Sequence, residues 1–125
     1  MAGWTADELR RIGETEEVDV AAADTDGAWH NRVTIWLVRL RDDLYVRSAV
    51  RGSKAAWYRG VQHTHQGMLW AGSLYKEVTF VDSDAAINDA VDAAYRSKYR
   101  RYAGRILNSC LTDAARATTM RLDPR

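Results

Sequence analysis

The chain has 125 residues, 46% of them hydrophobic, which is enough for one packed core, whereas two independent cores would be too small to hold, so one domain over residues 1–125 is expected. A formal net charge of +1 gives no global reason to expect a nucleic-acid partner, and no apolar run approaches the ~18 residues that a bilayer span requires. The single cysteine, Cys110, excludes an internal disulfide, and Met1 to Arg11 holds no apolar run of the kind a secretory leader carries, so a reducing, cytoplasmic setting is expected.

The first element is marked by Thr5-Ala6-Asp7-Glu8, a capping box, with Trp4 and Leu9 spaced as a hydrophobic staple. Gly13 suits a left-handed cap, so a helix of roughly two turns is predicted. Val18-Asp19-Val20 begins an alternating segment, and Asp24 to Gly27 is turn chemistry. From Arg32 to Ala49 the pattern is a hairpin: Val33, Ile35 and Leu37 share one face, Thr34, Trp36 and Val38 the other, and Asp42-Asp43 marks the turn. Ala55, Ala56, Trp57, Tyr58 and Val61 fit a short helix ending near Gly60. Met68 to Ala71 and Leu74 to Val81 flank Gly72-Ser73, where Gly supplies the positive φ of a type II′ turn. A long helix is predicted from Asp84 to Tyr102, with Ile87, Val91, Ala94, Tyr95, Lys98 and Tyr102 on one stripe. Its acidic residues come early and its basic ones late, as the helix dipole favours. Thr118 to Leu122 alternates like a closing strand that Pro124 ends. Short hairpin strands, a late helix and a last strand together predict a small barrel with helical decoration.

The chain lacks a Gly-x-Ser-x-Gly elbow, a Walker loop and a dinucleotide Gly fingerprint. His63-x-His65 would chelate a metal from one face of a strand, but no further ligand falls at a suitable spacing, and no metal is expected. Cys110 reads as a buried, inert thiol, Asp42-Asp43 as a turn, and Arg96, Lys98, Arg100, Arg101 and Arg105 as a solvated basic helix end. One constellation differs in kind. Arg47-Ser48 ends a strand, Arg51-Gly52-Ser53-Lys54 follows as a basic loop, and Trp57-Tyr58 comes next. Cations, hydroxyls and turn amides together suit a phosphate, and the adjoining rings suit a planar heterocycle, with Arg32 able to approach the same end of the barrel.

These residues also carry a family likeness. Gly27, Arg32-Val33-Thr34, Leu44 to Ser48, Gly52-Ser53, Trp57-Tyr58 and Trp70-Ala71-Gly72-Ser73 resemble the split-barrel deazaflavin-dependent nitroreductases. Trp4 to Leu9, Asp92 to Tyr99 and Ala117 to Leu122 resemble an uncharacterised bacterial domain-of-unknown-function family, number twenty-two fifty-five, over nearly the whole chain. The resemblance implies an α+β fold, a small flavin-binding-like split β-barrel of about six strands with an N-terminal helix and a long late helix. It implies a homodimer with cofactor sites at the subunit interface, taking flavin mononucleotide or a deazaflavin coenzyme. Carried over, Arg32 and Thr34 face the cofactor, Ser48, Arg51 and Lys54 touch its phosphate with Arg47 beside them, and Trp57-Tyr58 wall the pocket. Where those nitroreductases carry a more basic turn, this chain has Ala28, Trp29, His30 and Asn31, and Trp29 adds bulk where a phosphate tail would pass.

The expectation is an oxidoreductase-like protein whose reduced cofactor delivers hydride to a small aromatic or unsaturated substrate, with Trp36 and Trp70 as further walls. Two alternatives stay open: a non-catalytic, small-ligand-binding dimer without flavin, and a cofactor-free isomerase or cyclase in the same cleft. The last would need a titratable group there, for which His30 and Tyr58 are the candidates.

Overall fold

Helix α1 (Ala6–Glu14) opens on the expected capping box: the Thr5 hydroxyl accepts from the Glu8 amide at 3.1 Å, and the Glu8 carboxylate accepts from the Thr5 amide at 2.9 Å. The computed structural model describes residues 3–125; Met1 and Ala2, at the head of the stretch read above for a leader, lie outside the described residues. Trp4 is tied into the sheet, its indole N–H donating to the Leu122 carbonyl at 2.8 Å. Gly13 does not end the helix, which continues to a cap at Thr15. The glycine serves packing instead, because a Cβ there would come within 3.1 Å of the Arg39 Cβ.

Seven strands follow among the described residues: β1 (Val18–Ala22), β2 (Val33–Ile35), β3 (Leu37–Leu40), β4 (Asp43–Val46), β5 (Gln66–Ala71), β6 (Leu74–Asp82) and β7 (Met120–Pro124). All pairs are antiparallel, in the order β2-β1-β5-β6-β7-β4-β3. The two ends of that order are consecutive in the chain, with only Trp36 between them, so the sheet curls into a nearly closed barrel. The segment expected as one strand is thus split at Trp36: β2 pairs with β1 and β3 with β4. The first hairpin turns at Arg41-Asp42, one residue earlier than expected, because Asp43 joins the ladder opposite Leu40 and Arg41 takes the positive φ of 58°. The second turns at Gly72-Ser73 as read from sequence, with Gly72 at φ +61°.

The helices are α2 (Ala56–Thr64), α3 (Asn88–Lys98), α4 (Arg105–Asn108) and α5 (Asp113–Arg116), with single 3-10 turns at Gly52–Lys54, Ala85–Ile87 and Arg100–Tyr102. Helix α2 runs four residues past Gly60. That places His63 in its last turn and His65 at a left-handed C-cap with φ 57°, rather than together on one face of a strand. The long late helix has three parts, and Asp84 caps the first by accepting from the Ala86 amide at 2.9 Å. Its buried stripe is Asn88, Val91, Asp92 and Tyr95, followed by Tyr99 at the cap.

The alternation of the first hairpin separates two cores. Leu37, with Val33 and Ile35 against it, belongs to the barrel interior, which Leu44, Leu69, Phe80 and Leu122 fill and to which α1 and α2 add Ile12 and Val61. Val38 and Trp36 belong to a second core outside the barrel, beneath α3, with Tyr45, Val91, Tyr95, Tyr99, Leu107 and Cys110. Among the described residues, no helix is long and apolar enough to cross a membrane.

Candidate functional site

The break at Trp36 turns its ring out of the barrel onto α3. There it stacks on Tyr99 with ring centroids 3.9 Å apart and planes 3° from parallel, and Tyr102 adds a tilted contact at 5.2 Å. Tyr99 is fixed in turn. Its hydroxyl accepts from the Leu37 amide at 3.1 Å and donates to the Glu16 carbonyl at 2.7 Å. Burial raises the phenol far above its ordinary range, so it remains a donor at neutral pH.

Over this support lies a cleft of about 450 Å³, within the ~300–1,000 Å³ usual for small-molecule sites. Its apolar walls come from Ile35, Trp36, Ala49, Val50, Trp57 and Ile106, and its polar groups from Glu17, Thr34, Arg51 and Ser109, with the buried Arg47, Ser48, Tyr95 and Cys110 behind. Val50 is 86% exposed and Ile106 59%, so the cleft has an open apolar rim. Arg51 forms no ion pair among the described residues, and Lys54 lines an adjoining groove that shares Val50 and Arg51 with the cleft. Ala55, another wall residue, is the N-cap of α2 and offers no side-chain oxygen, so no side chain caps the positive end of that helix.

Of the residues singled out from sequence, Thr34, Trp36, Ser48, Arg51 and Trp57 therefore line one cleft, with Lys54 next to it. Tyr58 meets Trp57 edge-on at 6.2 Å and packs against the barrel core instead. Burial, and Asp82 nearby, raise its phenol pKa. Arg32 and Trp70 are drawn aside by Asp19. The Arg32 guanidinium sits 4.1 Å from the Trp70 ring and pairs with one Asp19 oxygen at 3.0 Å, while the Thr34 hydroxyl donates to the other at 2.7 Å. His30 bonds Asp24 at 2.8 Å and lies against Gly60, away from the cleft walls. Trp29 lines a separate groove with Asp24, Thr64 and Arg125, so its bulk does not enter the cleft.

Arg47 departs furthest from the expectation of a phosphate contact. Its guanidinium is fully buried and donates to Thr119 Oγ1 at 2.9 Å, Asp92 Oδ1 at 2.5 Å, the Cys110 carbonyl at 2.9 Å, and the Asn88 carbonyl and Oδ1 at 3.2 and 3.3 Å. These bonds engage every N–H an arginine carries and leave none to meet a ligand. Asp92 is shared, its second oxygen accepting from Arg116 at 2.8 Å. The residue locks β4 to α3.

The family model described as "uncharacterized protein conserved in bacteria", DUF2255, matches residues 8–122. The chain belongs to DUF2255. No curated protein matches it in sequence. Among solved structures, an F420 reductase superposes with TM-score 0.55 at 17% identity, covering 93% of this chain and 91% of that one. The haem storage protein HutZ of Vibrio cholerae gives 0.56 at 17%, covering 95% and 87%. An FAD- and haem-binding protein of Mycobacterium smegmatis gives 0.54 at 14%, covering 94% and 64%. At these identities the likeness establishes the fold, which is the α+β split barrel of the flavin-binding kind.

In this DUF2255 chain three cleft residues had no local signal in the sequence. Glu17 precedes an alternating segment, and Ile106 and Ser109 sit where the pattern after Gly104 is ambiguous. The Cys110 thiol, also in the wall, is pushed up by burial against the opposing effects of Ser109 and Arg47. Among the described residues, no three His, Cys, Asp or Glu side chains are grouped to hold a metal.

Proposed function

We propose that this DUF2255 protein binds flavin mononucleotide or a deazaflavin coenzyme in the Trp36 cleft and serves as an oxidoreductase-like protein for a small aromatic or unsaturated substrate. The observation that carries this is the joining of Arg51, Ser48, Trp36 and Trp57 in one cleft beside Lys54. The residues present fit such a group. Apolar walls with two indoles suit a flat ring system, and Arg51, Lys54 and the positive end of α2 suit a phosphate. When bound, the cofactor supplies hydride transfer. The chain's residues would bind and orient: Arg51 would anchor the anionic end with the buried Ser48 behind it, Trp36 is held from beneath by Tyr99, and Trp57 would shield the ring from water. No imidazole lies among the wall residues, which favours a flavin-type ring over haem iron. Two exposed apolar residues on the rim, Val50 and Ile106, suit a homodimer closing the cleft, in a cytoplasmic setting.

The experiment is a titration with flavin mononucleotide and a deazaflavin coenzyme, following tryptophan fluorescence. Saturable quenching is expected, weakened about tenfold or more in Arg51→Ala, the scale of a lost charge-assisted hydrogen bond. Absence of binding by both at high micromolar concentration overturns the reading and leaves a barrel for some other small ligand.

A further inference from the structure

Two adjacent acids ahead of β1 are used in opposite ways. The Glu16 carboxylate accepts from the Arg101 guanidinium and from the Tyr102 hydroxyl, and its carbonyl accepts from Tyr99. Glu17 lines the cleft, and among the described residues no side chain pairs with its carboxylate. Its backbone is nevertheless well fixed. Tyr99 holds the preceding carbonyl at 2.7 Å, and the register that pairs Val18 with Ile35 places Glu17 beside Trp36. The cleft thus presents two charges that the protein itself does not engage, Glu17 and Arg51, with indole surface as part of the same lining. Arg47, the other cation of the lining, is saturated by Asp92 and its neighbours.

We propose that Glu17 determines the ligand's polarity: the cleft selects a flat aromatic molecule that offers a cation or N–H donors to Glu17, and disfavours one that brings a carboxylate there. The inference rests on the assignment of the cleft as the ligand site, and not on the identity of the cofactor. A carboxylate beside an aromatic surface makes its strongest contacts with charged or N–H donors, whereas an anion placed there meets like-charge repulsion.

Benzamidine and benzoate, planar probes of similar size and opposite charge, test this by quenching of tryptophan fluorescence. In an Arg51→Ala background, which removes the cation that would hold benzoate, benzamidine is expected to bind more tightly than benzoate, and adding Glu17→Gln to reduce benzamidine affinity about tenfold. Glu16→Gln removes a neighbouring charge that the cleft does not use and is expected to leave the preference unchanged. A preference that survives in Glu17→Gln, or that falls equally in Glu16→Gln, overturns the proposal. Parallel titrations of wild-type protein and Arg51→Ala with flavin mononucleotide report separately on the cofactor. Glu17-dependent benzamidine binding without flavin binding sustains this inference and sinks the flavin assignment, and flavin binding with indifference to Glu17 does the reverse.

Discussion

Inside the barrel, Leu37, Leu44, Leu69, Phe80 and Leu122 fill the space with hydrocarbon; outside it, beneath α3, Tyr95, Tyr99 and the buried Arg47 bring hydroxyl and guanidinium groups that each need a partner. Among the described residues no buried side-chain nitrogen or oxygen lacks one. The inner core draws its stability from area removed from water and accepts changes of shape that conserve volume. The outer core relies on matched polar atoms, so its geometry is narrowly defined, and it is this layer that carries the support beneath the cleft.

The largest effect is expected where that matching is most concentrated. Asp92→Ala leaves the Arg47 guanidinium buried without its carboxylate and should cost about 3–5 kcal/mol in urea unfolding. Leu69→Ala in the inner core should cost about 2–5 kcal/mol by the same measurement. Rescue separates the two cores. The double replacement Arg47→Met with Asp92→Leu should recover part of the Asp92→Ala loss: it removes the unpaired buried charge, but the Cys110 carbonyl and Arg116 still lose Arg47 and Asp92 as partners. No second substitution of that kind exists for Leu69. If the double variant is no more stable than Asp92→Ala, the polar match is not what distinguishes the outer core.

A smaller effect is expected at Tyr99→Phe. The Leu37 amide loses an acceptor and the Glu16 carbonyl a donor, for about 1–3 kcal/mol, and the emission of Trp36 should shift as its support loosens.

The last effect is a pH dependence. Burial lowers Lys98 from 10.5 to about 8, although its ammonium donates to the Leu37 carbonyl. Between those values the unfolded chain holds more protons at this group than the folded one, so its contribution to stability rises with pH. Tyr95 and Tyr99 act in the opposite sense. Burial raises both above the ordinary 10.0, the folded state keeps phenolic protons that the unfolded chain releases, and stability falls above that pH. Lys98→Met should therefore flatten the rise between pH 8 and 10 and leave the later fall intact, as read from urea unfolding at each pH.

Legibility in the sequence followed the range of the interaction. The Thr5–Glu8 box, the Gly72-Ser73 turn and the Asp84 cap are local, and local chemistry announces them. The two-sided alternation of Val33 to Val38 correctly marked a strand with a core on each face, but the break at Trp36 carries no glycine or proline to signal it. Arg47 looked like part of a basic ligand loop because its neighbours Arg51 and Lys54 are. The acid that claims it, Asp92, is 45 residues away and was legible only as an early helical charge. Arg32 and Trp70 were likewise diverted by Asp19 through pairings that exist only once β1, β2 and β5 are aligned. Glu17 joins the cleft through that same alignment, which no short window of sequence reveals.

Because the strands that terminate the order, β2 and β3, have only 3 and 4 residues, the sheet has among the described residues no long outer strand with a row of unsatisfied amides and carbonyls. Another polypeptide therefore finds little backbone to zip onto, which protects against cross-β aggregation. Contact through the sheet margins is thereby limited, which leaves association largely to side chains and open to tuning by single surface substitutions that do not disturb the ladder.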